Sequence, residues 1–197
     1  MTLAIIDSGG ANIGSVRYAL QRLGAESVFT ADPDVIRRAD RVILPGVGAA
    51  AAAMAQLQAH DLVACIRDLK QPVLGICLGM QLLFESSSEG DVECLGLVPG
   101  RLERFQESPG LRVPHMGWNH ATVERDDPLL DGLREEPWFY FVHSYYAPVS
   151  AATLASCRHG VPFSAVVQQD NFRGAQFHPE RSADQGARIL KNFLDLE

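Results

Sequence analysis

Three residues whose types suit acyl-transfer chemistry stand out in this chain: Cys77 between two glycines, and His178 and Glu180 two positions apart. The stretch Gly-Ile-Cys-Leu-Gly (75–79) follows an apolar run at 73–76 and precedes a helical pattern that begins at once. That predicts a buried strand, a sharp bend and a helix, the layout of a nucleophile elbow, in which Gly75 and Gly79 leave room where side chains would clash. At a helix N-terminus the macrodipole and free N–H groups favour thiolate over thiol, and the same N–H groups can stabilise an oxyanion. Taken alone, the pattern equally suits a small buried cysteine at a strand end, so it needs a base elsewhere. His178 supplies one. Pro179 cannot donate to a ladder and ends the strand read at 173–177, leaving His178 at its terminus with Glu180 within reach of the imidazole N–H. In such a Cys/His/Glu triad the histidine takes the thiol proton and the glutamate holds its tautomer.

The elements that must position these groups read as alternating strand and helix through the first half. Apolar strands are predicted at 3–6, 27–30, 41–44 and 73–76, with helices at 13–23, capped by Asn12, from Asp32-Pro33, at 49–59 and from 61 to about 69. This alternation predicts an α/β fold with a mostly parallel central sheet flanked by helices, its ligands at the carboxyl ends of the strands. From about 97 to 177 short runs at 121–123, 138–142, 153–156, 163–168 and 173–177 predict a strand-rich, partly antiparallel half, closed by a helix at about 183–194 that buries Ala187, Ile189, Leu190, Phe193 and Leu194. The whole, 1–197, reads as one domain.

Four further stretches invite a functional reading. Pro-Gly-Val-Gly (45–48) follows the third strand and should lie on the same sheet edge as Cys77. There Gly46, Val47 and Gly48 could present a second oxyanion donor beside that of Leu78, and rotation of the Gly46–Val47 peptide would switch it; a plain strand-to-helix turn explains the loop equally well. Gln81 lies one helical turn after Cys77 and shares its face, while Glu89 falls in a polar loop at 85–90; surface polarity accounts for either residue by default. The segment Pro-His-Met-Gly-Trp-Asn-His (114–120) reads as a loop that is either packed or partner-facing. The aromatic strand at 139–146 carries His143 and Ser144 near its end, and His60, His120 and His159 read as surface residues.

At 47% hydrophobic and 21% charged residues the composition is that of a globular protein with a sizeable core. A net charge of −7 without a Lys/Arg cluster gives no footprint for nucleic acid or anionic membrane, and the longest apolar runs, about ten residues, do not span a bilayer. The N-terminus reads as a strand rather than a signal peptide, so a cytoplasmic location is expected. Four cysteines without metal or paired spacing read as free thiols.

On the motifs at 75–81 and 178–180 the chain resembles the class I glutamine amidotransferases. Asp-Ser-Gly-Gly-Ala-Asn-Ile-Gly-Ser (7–15), Pro-Gly-Val-Gly (45–48), Pro-His-Met-Gly-Trp-Asn (114–119) and Tyr-Phe-Val-His-Ser-Tyr (140–145) make it similar to the glutaminase subunits of imidazole glycerol phosphate synthases. Ser8 stands where an aromatic residue is common, and Ser144 where threonine also occurs; neither belongs to the triad. The resemblance implies hydrolysis of L-glutamine to glutamate and ammonia through a thioester on Cys77, with His178 as acid and base and no cofactor or metal. It implies substrate contacts from the loop 45–48, Gln81, Glu89 and the backbone of His143, Ser144 and Tyr145. It implies a heterodimer with a (β/α)8-barrel cyclase, which receives the ammonia to make imidazole glycerol phosphate and an aminoimidazole carboxamide ribotide in histidine biosynthesis, and it makes the loop 45–48 the switch that keeps the lone subunit nearly idle. Alternatives on the same residues are the glutaminase of another pathway, such as pyridoxal phosphate synthesis, a free-standing thiol hydrolase, and a non-catalytic interaction subunit.

Overall fold

Alternating apolar side chains in the first strand already require two cores. In β1 (Leu3–Ile6), Leu3 and Ile5 enter one buried cluster while Ala4 and Ile6 enter another, so both faces of the strand are covered. The computed structural model describes residues 1–9 and 13–196, and the cap expected at Asn12 lies outside them. α1 (Ile13–Arg22), β2 (Ser27–Thr30), α2 (Pro33–Arg38), β3 (Arg41–Leu44), α3 (Ala50–Ala59), α4 (Leu62–Arg67) and β4 (Val73–Ile76) follow the expected alternation. α2 begins as its sequence dictates, with Asp32 accepting from Asp34 N and Pro33 in the first turn.

After β4 come α5 (Leu78–Leu82), β5 (Phe84–Ser87), β6 (Val92–Glu93), β7 (Val98–Arg104), β8 (His115–His120), β9 (Thr122–Val123), β10 (Trp138–His143), β11 (Tyr145–Tyr146), β12 (Thr153–His159), β13 (Val161–Gln169), β14 (Phe172–Ala175) and α6 (Ala183–Asp195). The main sheet runs β2-β1-β3-β4-β14-β13-β12-β9; β2, β1, β3, β4 and β14 are parallel, and β13, β12 and β9 continue it antiparallel. Leu44 pairs with Gly75 and Ala175 with Ile76, so β3, β4 and β14 end at one level. The carboxyl ends of three neighbouring strands thereby deliver Pro45, Cys77 and Gln176 to one edge. Beside that edge β10 pairs with β8, and β11-β7-β5-β6 form a third sheet.

Several sequence expectations are corrected. Residues 84–87 form β5, paired with β6 and β7, so only 88–90 of the expected polar loop is turn. Residues 115–120 are strand β8, paired one-to-one with β10 from Trp138↔His120 to His143↔His115. The strand before His178 ends at Ala175, and the aromatic run at 139–146 divides at Ser144 into β10 and β11. His159 is half-buried, its ring stacked on His115 at 4.3 Å, because β12 carries it under the β8 ribbon; Ala187 is only half-buried on α6. No helix among the described residues is long and apolar enough to cross a membrane.

Candidate active site

Cys77 sits between β4 and α5 at φ 53° and ψ −110°, a left-handed backbone that a non-glycine residue adopts only under constraint from its surroundings. Its N–H continues the ladder to Ala175 O at 2.8 Å, and its carbonyl accepts from Gln81 N at 3.1 Å. The flanking glycines are required by space. A Cβ on Gly79 would stand 1.8 Å from Leu44 O, and one on Gly75 2.7 Å from Gly79 O. Leu78 and Gly79 open the first turn of α5, where N–H groups have no intrahelical acceptor. The reading of residues 72–85 as an elbow thus has its geometric cause on both sides of the bend.

His178 is held by backbone bonds on two sides. Its N–H donates to Tyr140 O at 3.0 Å, its carbonyl accepts from Ser182 Oγ at 2.7 Å, and the same Oγ accepts from Tyr140 N at 2.9 Å. Nδ1 meets Glu180 Oε1 at 2.9 Å, which leaves the buried Nε2 as the nitrogen for proton exchange. Burial works against a charge on the ring, but attraction to Cys77 and Glu180 outweighs it and pushes the His178 pKa up to about 10. Cys77, His178 and Glu180 are therefore brought together, two of them on backbone frames locked to neighbouring strands.

An open cleft of about 800 Å³ gathers most of the other expected residues. Val47 and Gly48 bound it from the loop after β3; Cys77, Leu78 and Gln81 from the elbow; His143, Ser144 and Tyr145 from the β10–β11 junction; His178 and Glu89 complete it. Gly46 lies instead beside a shallow hollow with His178 and Glu180, and a Cβ there would come 2.9 Å from Leu78 Cβ and 3.0 Å from Gly79 N. The loop 45–48 therefore packs directly on the elbow. Glu89 does double duty, because its Oε2 accepts from Ala50 N at 2.8 Å and fixes the start of α3 immediately after that loop.

Three contributors escaped the sequence reading. Ser8 Oγ donates to Pro45 O at 2.9 Å and pins the loop from below. Gln176, fully buried, donates through Nε2 to Cys77 Sγ at 3.8 Å. His115 pairs with His143 at 3.0 Å. A polar residue interrupting an apolar strand end was the available signal for Gln176; for His115 nothing in the sequence placed its side chain inward.

A bent cysteine facing an imidazole braced by a carboxylate matches the chemistry of a thiol acyl transferase, and residues 4–196 match the family model for class I glutamine amidotransferases. The chain belongs to the class I glutamine amidotransferase family. Curated relatives of this amidotransferase chain are named imidazole glycerol phosphate synthase subunit HisH. That of Xanthomonas campestris pv. campestris (strain 8004) is 59% identical over 98% of this chain and 97% of its own length. That of Xylella fastidiosa (strain Temecula1) is 56% identical over 99% and 98%. Among solved structures, a glutamine amidotransferase superposes with a TM-score of 0.75 at 19% identity, covering 98% of this chain and 97% of that one. PurLQS from Thermotoga maritima gives 0.73 at 20% identity, covering 98% and 97%; both show a shared amidotransferase fold.

Proposed function

We infer that this chain is the glutamine-hydrolysing subunit of an imidazole glycerol phosphate synthase and acts in histidine biosynthesis. The geometry of Cys77, His178 and Glu180 at the elbow carries the reading of the chemistry, and the full-length similarity to the HisH subunits supports the pathway. Cys77 passes its thiol proton to His178 Nε2, and its sulfur attacks the side-chain amide carbon of glutamine to form a tetrahedral adduct whose oxyanion is met by the Leu78 N–H and a peptide N–H of the loop 45–48. His178 Nε2 gives its proton to the departing nitrogen, which leaves as ammonia, and a glutamyl thioester remains on Cys77. His178 then takes a proton from water as that water attacks the thioester, releasing glutamate and restoring the thiol. Glu180 keeps Nδ1 engaged so that Nε2 faces the reaction throughout. Gln81, Glu89 and the backbone of 143–145 bound the space for the amino-acid end of glutamine.

The partner in this reading is a (β/α)8-barrel cyclase, the location is the cytoplasm, and residues 1–197 work as one domain. The outer face of the β8–β10 ribbon supports docking: Met116 is 64% exposed and Trp118 50% on β8, and Trp138 51% on β10, large apolar side chains on one face of the ribbon. Ammonia released into bulk water would be protonated and lose its nucleophilicity, which gives a docked, water-poor route its chemical reason. The experiment is glutamine hydrolysis by the purified chain, alone and with a barrel cyclase and its nucleotide ligand. Low activity alone and a large rise in the complex support the reading. High activity indifferent to the cyclase would replace it with a free-standing thiol hydrolase.

A further inference from the structure

The polar groups between the β8 ribbon and the Cys77 sulfur form one unbroken hydrogen-bonded chain, and its direction is fixed by the Tyr145 carbonyl, which can only accept. His143 Nδ1 lies 2.8 Å from that oxygen and so carries the proton, leaving Nε2 as an acceptor. His115 Nδ1, 3.0 Å away, must then donate, and its own Nε2 accepts from Asn119 Nδ2 at 3.2 Å. Asn119 is oriented by its other bonds, donating to Arg158 O at 3.0 Å and accepting from His120 N at 2.9 Å. From the opposite side Gln81 Nε2 donates to the same Tyr145 oxygen at 3.0 Å and to Gln176 Oε1 at 2.9 Å. Gln176 Nε2 completes the path to Cys77 Sγ.

Both imidazoles fit this chain only when neutral, since a second proton on either ring would set two donors against each other. Their surroundings agree. Burial pushes the His115 pKa down to about 4, helped by His159, and the His143 pKa down to about 3 against the pull of the Tyr145 carbonyl. Phe141 stacks on His115 at 5.0 Å, and Phe163 meets His143 edge-on at 5.1 Å. Apolar side chains would fill this space without the desolvation cost of four ring nitrogens, so packing alone does not call for two histidines here. Neither imidazole takes part in proton transfer in the mechanism above.

We propose that His115 and Gln176 are positioning residues for glutamine hydrolysis, two members of one chain that fixes the 143–145 wall of the cleft and the sulfur of Cys77. The proposal rests on the glutaminase reading. Because His115 and Asn119 point inward from β8 while Met116 and Trp118 point outward, the same strand carries both the docking face and the start of the chain.

The test is steady-state glutamine hydrolysis by the assembled complex, with urea unfolding alongside. His115→Phe keeps a ring of similar size but donates nothing to His143; it is expected to raise the KM for glutamine about tenfold while kcat stays within about twofold. His115→Asn retains a donor at the Nδ1 position and should recover most of that loss. Gln176→Leu is expected to lower kcat about tenfold with a nearly unchanged KM, and to change the rate at which iodoacetamide alkylates Cys77. Asn119→Ala, at the half-buried end, should raise KM about threefold and serves if His115→Phe does not fold. A wild-type KM in either His115→Phe or Asn119→Ala, with only the urea midpoint lowered, would make the chain structural alone and overturn the proposal. Absence of glutamine hydrolysis from the wild-type complex would overturn the glutaminase reading instead.

Discussion

Cys77 is held in a backbone conformation that costs of order 1–3 kcal/mol, and the strain is tolerated because it lifts the sulfur to the mouth of α5. Removing that sulfur should therefore separate chemistry from fold. Cys77→Ala is expected to lower glutamine hydrolysis by about a thousandfold or more. The same variant should keep ammonia-dependent synthesis by the proposed cyclase partner; its failure with added ammonia would show that the fold or the docking had gone too. His178→Ala should slow hydrolysis more than Glu180→Gln, because a proton carrier is harder to dispense with than the group orienting it; the reverse order, measured as kcat/KM, would contradict the roles given to them. His178 also links pH to stability. Its folded pKa lies above its ordinary value of 6.5, so its stabilising contribution is complete below 6.5 and disappears as pH rises through about 10. The urea midpoint of the wild type should accordingly converge on that of His178→Gln across that window. The grouping of Cys77 with His178 was legible because both sit at sequence-visible breaks: two glycines around the cysteine, a proline after the histidine. Gln176 was signalled only as a polar residue at an apolar strand end, and a glutamine between Ala175 and Phe177 looks the same whether it faces solvent or sulfur.

At the scale of elements, three strand ends set at one level do the positioning, and their closeness leaves little room. Gly79→Ala would drive a methyl into Leu44 O and is expected to cost about 3 kcal/mol or more, read as a drop in urea midpoint. An unchanged midpoint would mean that the elbow can relax in a way its contacts do not allow. The parallel half was legible because strands buried on both faces read as continuous apolar runs between capped helices. β5 and β8 were not. Phe-Glu-Ser-Ser has no β-branched residue and is made a strand by β6 and β7, while His-Met-Gly-Trp-Asn-His contains a glycine at φ +130° and is made a strand by residue-for-residue pairing with β10. In both, long-range pairing overrode local preference. The misplacement of His159 followed from that of β8, whose underside covers it.

At the scale of the whole molecule, β8 carries Met116 and Trp118 on its exposed face and His115 and Asn119 on its inner one, so the exposed apolar side chains and the polar chain that reaches Cys77 share one ribbon. Trp118→Ala is expected to leave stability within about 0.5 kcal/mol because the side chain is half exposed, while weakening the proposed complex by about 2 kcal/mol, measured by calorimetric titration with a barrel cyclase. His115 and His143 add an acid limit. Their folded pKa values, about 4 and about 3, lie below the ordinary 6.5, so their contribution is present above 6.5 and lost as pH falls through those values. Stability should begin to fall between pH 6.5 and 5, above the ordinary carboxylate range, and less so in His115→Asn. The most direct test of the account is mass spectrometry of the complex, quenched in acid during turnover of glutamine. The expected result is an adduct with the mass of glutamine less ammonia, confined to the peptide containing Cys77 and absent from Cys77→Ala. Turnover without that adduct, or with it on another residue, would contradict the assignment of Cys77 as the nucleophile.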